Sequence, residues 1–126
     1  PVSVHKFDQE GNLPLHMAAA AGNLSMIKLL GDRFPSGASV RNEDGMLPLH
    51  LSITSYAFPT AAGFGDAKLL FDVVKALLGY FPGAVAVVDN EGNLPLHCAI
   101  NVLSGDIGVD VVFMLLEEAN RQVQSP

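Results

Sequence analysis

DQEGNLPLH at Asp8–His16, NEDGMLPLH at Asn42–His50 and DNEGNLPLH at Asp89–His97 are three writings of one nine-residue phrase. A phrase that returns every few tens of residues marks a solenoid, in which each unit is one supersecondary element that buries its apolar face only against its neighbours. His16 and His50 are 34 residues apart and His50 and His97 are 47 apart, so the second unit carries an insertion. Met26-Ile27-Lys28-Leu29-Leu30 aligns with Val73-Val74-Lys75-Ala76-Leu77, which puts 13 extra residues between His50 and Val73. The third unit aligns at Val111-Val112, with 4 extra. Elsewhere the register is strict: Phe34-Pro35 and Phe81-Pro82 set each proline ten residues before its turn glycine, Gly45 and Gly92, and Pro1 stands ten before Gly11. The chain is therefore expected to open on the tail of a preceding unit, as a piece of something longer.

Each unit reads as a turn followed by two antiparallel helices. Gly11, Gly45 and Gly92 supply the positive φ of a tight reversal among Asp, Asn and Glu neighbours. Pro14, Pro48 and Pro95 suit the first helical position, where a missing N–H costs nothing. The first helices are predicted over Leu15–Ala21, Leu49–Ser55 and Leu96–Leu103, rich in small residues that permit close stacking. In Ala67–Tyr80, Leu69, Leu70, Val73, Val74, Leu77 and Leu78 recur at steps of three and four, the period of an amphipathic helix. Asn23, Asp66 and Asp106 are expected to cap the second helices. No strand-like alternation of useful length interrupts this pattern.

With these motifs in view the chain resembles the ankyrin repeat family over about residues 8–119. That family has a period of about 33 residues, a β-turn plus two helices, and the signature T-P-L-H-x-A. His16-Met17-Ala18-Ala19-Ala20-Ala21-Gly22 resembles its His-x-Ala-Ala-x-x-Gly, and Ile27-Lys28-Leu29-Leu30 its second-helix core. The resemblance implies an all-α, helix-turn-helix solenoid of about three repeats with short β-turn fingers. The expected divisions are 1–7 as the tail of a preceding repeat, 8–41 as repeat 1, 42–88 as repeat 2 with the insertion near 57–69, 89–119 as repeat 3, and 120–126 as a tail. Leu13, Leu47 and Leu94 depart from the family by standing where threonine caps the first helix, a loss of about 0.5–2 kcal/mol that packing of the leucines between units is expected to offset in part. Ser52-Ile53 and Ala99-Ile100 replace the Ala-Ala pair, which predicts looser stacking there.

Composition narrows the function. The 126 residues suffice for one domain, which buries roughly two-thirds of its extended surface on folding. Although 49% of residues are hydrophobic and the mean hydropathy is +0.33, no apolar stretch approaches the roughly 20 residues of a membrane helix. Leu69–Phe81 comes nearest and is broken by Asp72 and Lys75. No secretory or organelle signal is readable, and the single cysteine, Cys98, excludes an internal disulfide, a thiol redox pair and a cysteine zinc site. An intracellular, cytoplasmic setting is expected. The formal charge of −6 argues against nucleic acid and anionic membranes, which reward clustered Lys and Arg.

His16, His50 and His97 invite a metal or catalytic reading. Each occupies the same place in a different unit, so stacking is expected to spread them along the array, and in similar repeats this histidine is structural. His97-Cys98 fails as a base and nucleophile because neighbouring helical residues point about 100° apart. The Gly63-Phe64-Gly65 run follows no predicted strand, and no hydrolase or phosphate-loop motif is present. No catalytic, cofactor or metal residue is therefore assigned.

The resemblance instead implies a protein-binding scaffold whose turn tips and exposed first-helix positions line a surface. Those positions are Gln9, Glu10, Asn12 and Met17 in repeat 1; Glu43, Asp44, Met46, Leu51 and Thr54 in repeat 2; and Asn90, Glu91, Asn93, Cys98 and Asn101 in repeat 3, with Cys98 expected to face the concave groove. The row is acidic and predicts a basic or polar protein or peptide as partner. Tyr56, Phe58 and Phe64 in the insertion are alternative anchors. Phe113 replaces Lys28 and Lys75 and is expected to be covered, by the tail 120–126 or by a neighbouring domain. A structural spacer or regulatory domain of a larger protein, and a small metal-binding or hydrolytic protein built on the repeat histidines, are the competing readings.

Overall fold

Three helix pairs follow one another in the computed structural model, which describes residues 11–57, 67–103 and 105–124. Helices α1 (Pro14–Ala21) and α2 (Leu24–Arg33) form the first pair, α3 (Pro48–Ala57) and α4 (Ala67–Tyr80) the second, and α5 (Pro95–Val102) and α6 (Gly105–Gln124) the third. Short 3-10 turns at Pro35–Ser39 and Pro82–Ala86 lead into the fingers that precede α3 and α5. All regular structure among the described residues is helical, as an all-α array requires. First helices stack on first helices and second on second, α1 against α3 against α5 and α2 against α4 against α6.

Local chemistry explains the boundaries. Leu13 and Leu94 are extended (φ −76°, ψ 164° and φ −75°, ψ 160°), the conformation that a following proline imposes, and the proline then opens the helix. Gly22, left-handed at φ +68°, ends α1 while its N–H and that of Asn23 return to the carbonyls of Ala19 and Ala18. Asn23 caps α2, its Oδ1 accepting the Met26 N–H at 3.1 Å. Asp106 does not cap α6: the helix starts one residue earlier at Gly105, which leaves Asp106 in the first turn, where its charge complements the helix dipole. Asp66 lies outside the described residues. Phe34 and Phe81 stop α2 and α4 because the prolines after them forbid continuation.

The core is one continuous apolar seam. Ile27, Leu47, Leu49, Ile53, Leu70, Val73, Val74, Leu77, Val111 and Leu115 are buried to 2% exposure or less and belong to one cluster. Each such aliphatic side chain contributes about 1.5–3 kcal/mol by leaving water. The looser stacking expected at Ser52-Ile53 is not observed: both are fully buried, and the Ser52 hydroxyl donates to the Leu49 carbonyl at 2.8 Å. Gly31 lies so close under the Tyr80 ring that a methyl group there would overlap it, and the Tyr80 hydroxyl donates to Asp32 Oδ1 at 2.8 Å, latching α4 to α2.

The far end departs from expectation. Residues 120–124 continue α6 instead of folding back, and Phe113 stays uncovered by any described residue. Ala119-Asn120 stands where Phe34-Pro35 and Phe81-Pro82 stand in the earlier units, so no proline breaks the helix.

Candidate functional site

The fingers are built from one recurring acceptor. Asn42 Oδ1 accepts the N–H groups of Asp44 and Met46, each at 2.9 Å, while the Asn42 N–H donates to the Met46 carbonyl at 2.9 Å. Asp89 repeats the arrangement with Glu91, Asn93 and the Asn93 carbonyl, every distance 2.9 Å. Asn and Asp serve alike within the finger because only the oxygen is used there, and both are nearly buried. These two organisers were missed from the sequence, although the first letter of each phrase (Asp8, Asn42, Asp89) carried the signal.

Successive fingers are cross-linked. The Asn90 N–H donates to the Asp44 carbonyl at 3.0 Å and its side-chain amide to the Glu43 carbonyl at 2.7 Å. Asn42 Nδ2 donates to Asn12 Oδ1 at 2.8 Å, while within its own finger Arg41 Nε donates to the Gly45 carbonyl at 3.1 Å. Backbone on backbone at this spacing fixes the tips relative to one another, so the edge they form is preorganised.

The histidines fasten each unit to the next. In all three units Nδ1 accepts the N–H of the leucine before the proline: Leu13 to His16 at 2.9 Å, Leu47 to His50 at 3.1 Å and Leu94 to His97 at 3.0 Å. The imidazole thus supplies the cap that the missing threonine would have made, while Leu13 and Leu47 are buried. With Nδ1 accepting, the proton sits on Nε2, which donates forward to the following finger. His16 Nε2 reaches the Val40 and Met46 carbonyls (2.9 and 3.2 Å), and His50 Nε2 the Asn93 carbonyl (3.1 Å). His97, in the last unit, is exposed.

Burial pushes the His50 imidazole below its ordinary pKa of 6.5, against the opposing pull of the Asn93 carbonyl and the Asp89 charge. Above that pH the ring is neutral folded or unfolded, and the protein keeps its full stability. As pH falls below it the unfolded chain takes up a proton that folded His50 resists, so stability drops. We expect the melting temperature to fall between pH 7.5 and 5, and part of that slope to vanish in His50→Gln when both are followed by circular dichroism; an unchanged slope would contradict the assignment.

The other candidates fall into place by exposure. Glu43, Asp44, Asn90 and Glu91 are exposed at the tips, with Asn12, Met46 and Asn93 half-buried at their bases. Met17 and Asn101 are exposed on the first helices; Leu51 and Thr54 are half-buried, and the Thr54 hydroxyl donates back to the His50 carbonyl at 3.1 Å. Cys98 is a correction: it does not face a groove but is buried. Met17, Leu51 and Cys98 hold the same place in their units and become steadily more covered along the stack, which identifies the position as one that packs toward the preceding unit. Burial, then the nearby carboxylates of Asp89 and Glu91, pushes the Cys98 thiol up to about 11, an unreactive state. Gln9, Glu10, Phe58 and Phe64 lie outside the described residues; Tyr56 is half-buried against the core cluster.

Among the described residues no group of three His, Cys, Asp or Glu side chains is placed to hold a metal ion, and no helix is long and apolar enough to cross a membrane. No curated protein matches the chain. Residues 1–52 match the family model described as ankyrin repeats (many copies).

Proposed function

We propose that the chain, whose residues 1–52 match ankyrin repeats, a typically non-enzymatic and generally protein-binding family, captures a protein or peptide partner along its finger edge. The supporting observation is the cross-linked pair of fingers that holds Glu43, Asp44 and Glu91 out into solvent. Their charges call for a basic or polar partner, and a preformed edge binds with little backbone change. Asn12, Met46 and Asn93 at the finger bases, and Met17, Leu51, Thr54 and Asn101 on the first helices, extend this surface.

Because these carboxylates are solvated and support no core contact, reversing them separates binding from folding. Glu43→Lys, Asp44→Lys and Glu91→Lys together should abolish capture of a basic partner, with the melting temperature and helicity near the parent's. Affinity measured across a salt series checks this: the parent should weaken as salt rises, and the triple variant should show no capture even at the lowest salt. Retained capture by the triple variant would rule out the finger edge.

A further inference from the structure

Among the described residues the unit-to-unit interface is made twice and then left open. Ile53 and Val74 are fully buried and Leu78 is 5% exposed, because the third helix pair packs on them. Their counterparts at the end of the array are Ile100 at 60%, Val112 half-buried and Leu116 at 49%. Val109 and Phe113 add 67% and 59% exposure beside them. Together with Leu103 these side chains line a groove of about 450 Å³ between α5 and α6. The equivalent groove between α1 and α2 is where the next helix pair seats.

Two observations say what fits there. Val109, Phe113, Leu116 and Val123 follow one another by four, three and seven residues, the heptad spacing with which one helix receives another. Asp106, Asp110 and Glu117 are exposed and spaced by four and seven, which places them in one row alongside Phe113. The one cation near that end of the helix, Arg121, lies 3.6 Å from Glu118. The described residues do not fill the groove themselves, since α6 runs on past the point where the earlier units turn. A second copy would bring an identical acidic row against this one in a chain of net charge −6.

We propose that the end groove between α5 and α6 docks an amphipathic helix of a partner protein, its apolar stripe set between Ile100 and Phe113 and flanked by Lys or Arg against Asp106, Asp110 and Glu117. Helix-in-groove docking reuses the geometry already formed at the two inner interfaces. This site is separate from the finger edge and stands without it.

The test uses the protein at its full natural length and two synthetic helical peptides of about 21 residues. Both carry leucine at the a and d positions; one has lysine at e and g, the other glutamate. Fluorescence anisotropy should show the lysine peptide binding at least about tenfold more tightly than its twin. Phe113→Ser and Leu116→Ser should each weaken it about tenfold with the melting temperature unchanged, since both side chains are exposed. Glu117→Lys should narrow the preference, and Glu43→Lys should leave it alone. The proposal is overturned if neither peptide binds, as when other parts of the chain already cover the groove, if both bind alike, or if Phe113→Ser has no effect. Sedimentation showing a dimer that Phe113→Ser dissolves would assign the groove to a second copy instead.

Discussion

Replacing His50 with alanine should cost about 3–5 kcal/mol, the largest loss of any single side chain bridging two units. The ring is fully buried and does two things at once: it accepts the Leu47 N–H at the start of α3 and donates to the Asn93 carbonyl in the next finger. Alanine leaves the Leu47 N–H without a partner, leaves the Asn93 carbonyl with the Asp89 N–H alone, and opens a cavity in the buried core. In a stacked array the coupling between neighbours holds each unit in the cooperative whole. The melting temperature should therefore drop by roughly 10–20 °C, and in urea the third unit should unfold ahead of the other two. His97 provides the internal comparison, because it makes the same bond to its leucine at 3.0 Å but is exposed and, among the described residues, ties to no further unit. His97→Ala should cost less than about 1 kcal/mol. Equal losses at the two positions would show that capping of the helix start, and not the bridge between units, carries the effect.

The second large effect is at the turn glycines, which share one backbone conformation but not one environment. Gly11, Gly45 and Gly92 have φ of +76°, +78° and +81°, so a side chain at any of them carries the same left-handed strain of about 1–2 kcal/mol. A Cβ on Gly45 would in addition collide with the Asn90 side-chain oxygen, come within 2.7 Å of the Asn90 backbone nitrogen and within 2.9 Å of the Arg41 guanidinium. Backbone cannot swing aside as a side chain can. On Gly11 the Cβ would lie 2.9 Å from Glu43 Cγ and 3.1 Å from its backbone nitrogen, whereas on Gly92 it would meet nothing within 4 Å. Losses measured by chemical denaturation should rank Gly45→Ala first at about 3–4 kcal/mol, Gly11→Ala next, and Gly92→Ala last at about 1–2 kcal/mol. Gly45→Ala should also weaken partner capture, since it pushes apart the two tips that carry Glu43, Asp44 and Glu91. Three equal values would mean that the fingers are not stacked backbone on backbone.

The gradient along the glycines and the one along the histidines have a single origin. Each element of a solenoid has the same neighbours only while the stack continues, so equivalent residues differ by whether a unit lies before or after them. Met17, Leu51 and Cys98 become more covered from first to last because their partner is the preceding unit. Ile53 and Ile100 differ in the opposite sense because theirs is the following one. No residue in this set could be assigned to interface or surface from its own helix.

Sequence alone determined what is local. The thrice-written phrase, the prolines that open α1, α3 and α5 and the Phe-Pro pairs that close α2 and α4 act within a few bonds of where they stand. The three- and four-residue steps of Ala67–Tyr80 set a helix whatever surrounds it. Period, helix order and the acidic character of the tips were therefore legible beforehand. Tertiary structure decided everything that depends on a partner some thirty to forty-seven residues away: that the His16 and His50 Nε2 atoms reach the Met46 and Asn93 carbonyls, that Asn90 ties its finger to the Glu43 carbonyl, that Cys98 is buried, and that Phe113 lies open on a groove. Burial and hydrogen bonding are properties of a pair of surfaces, and a helical stripe states that a face is apolar without saying which neighbour, if any, will cover it.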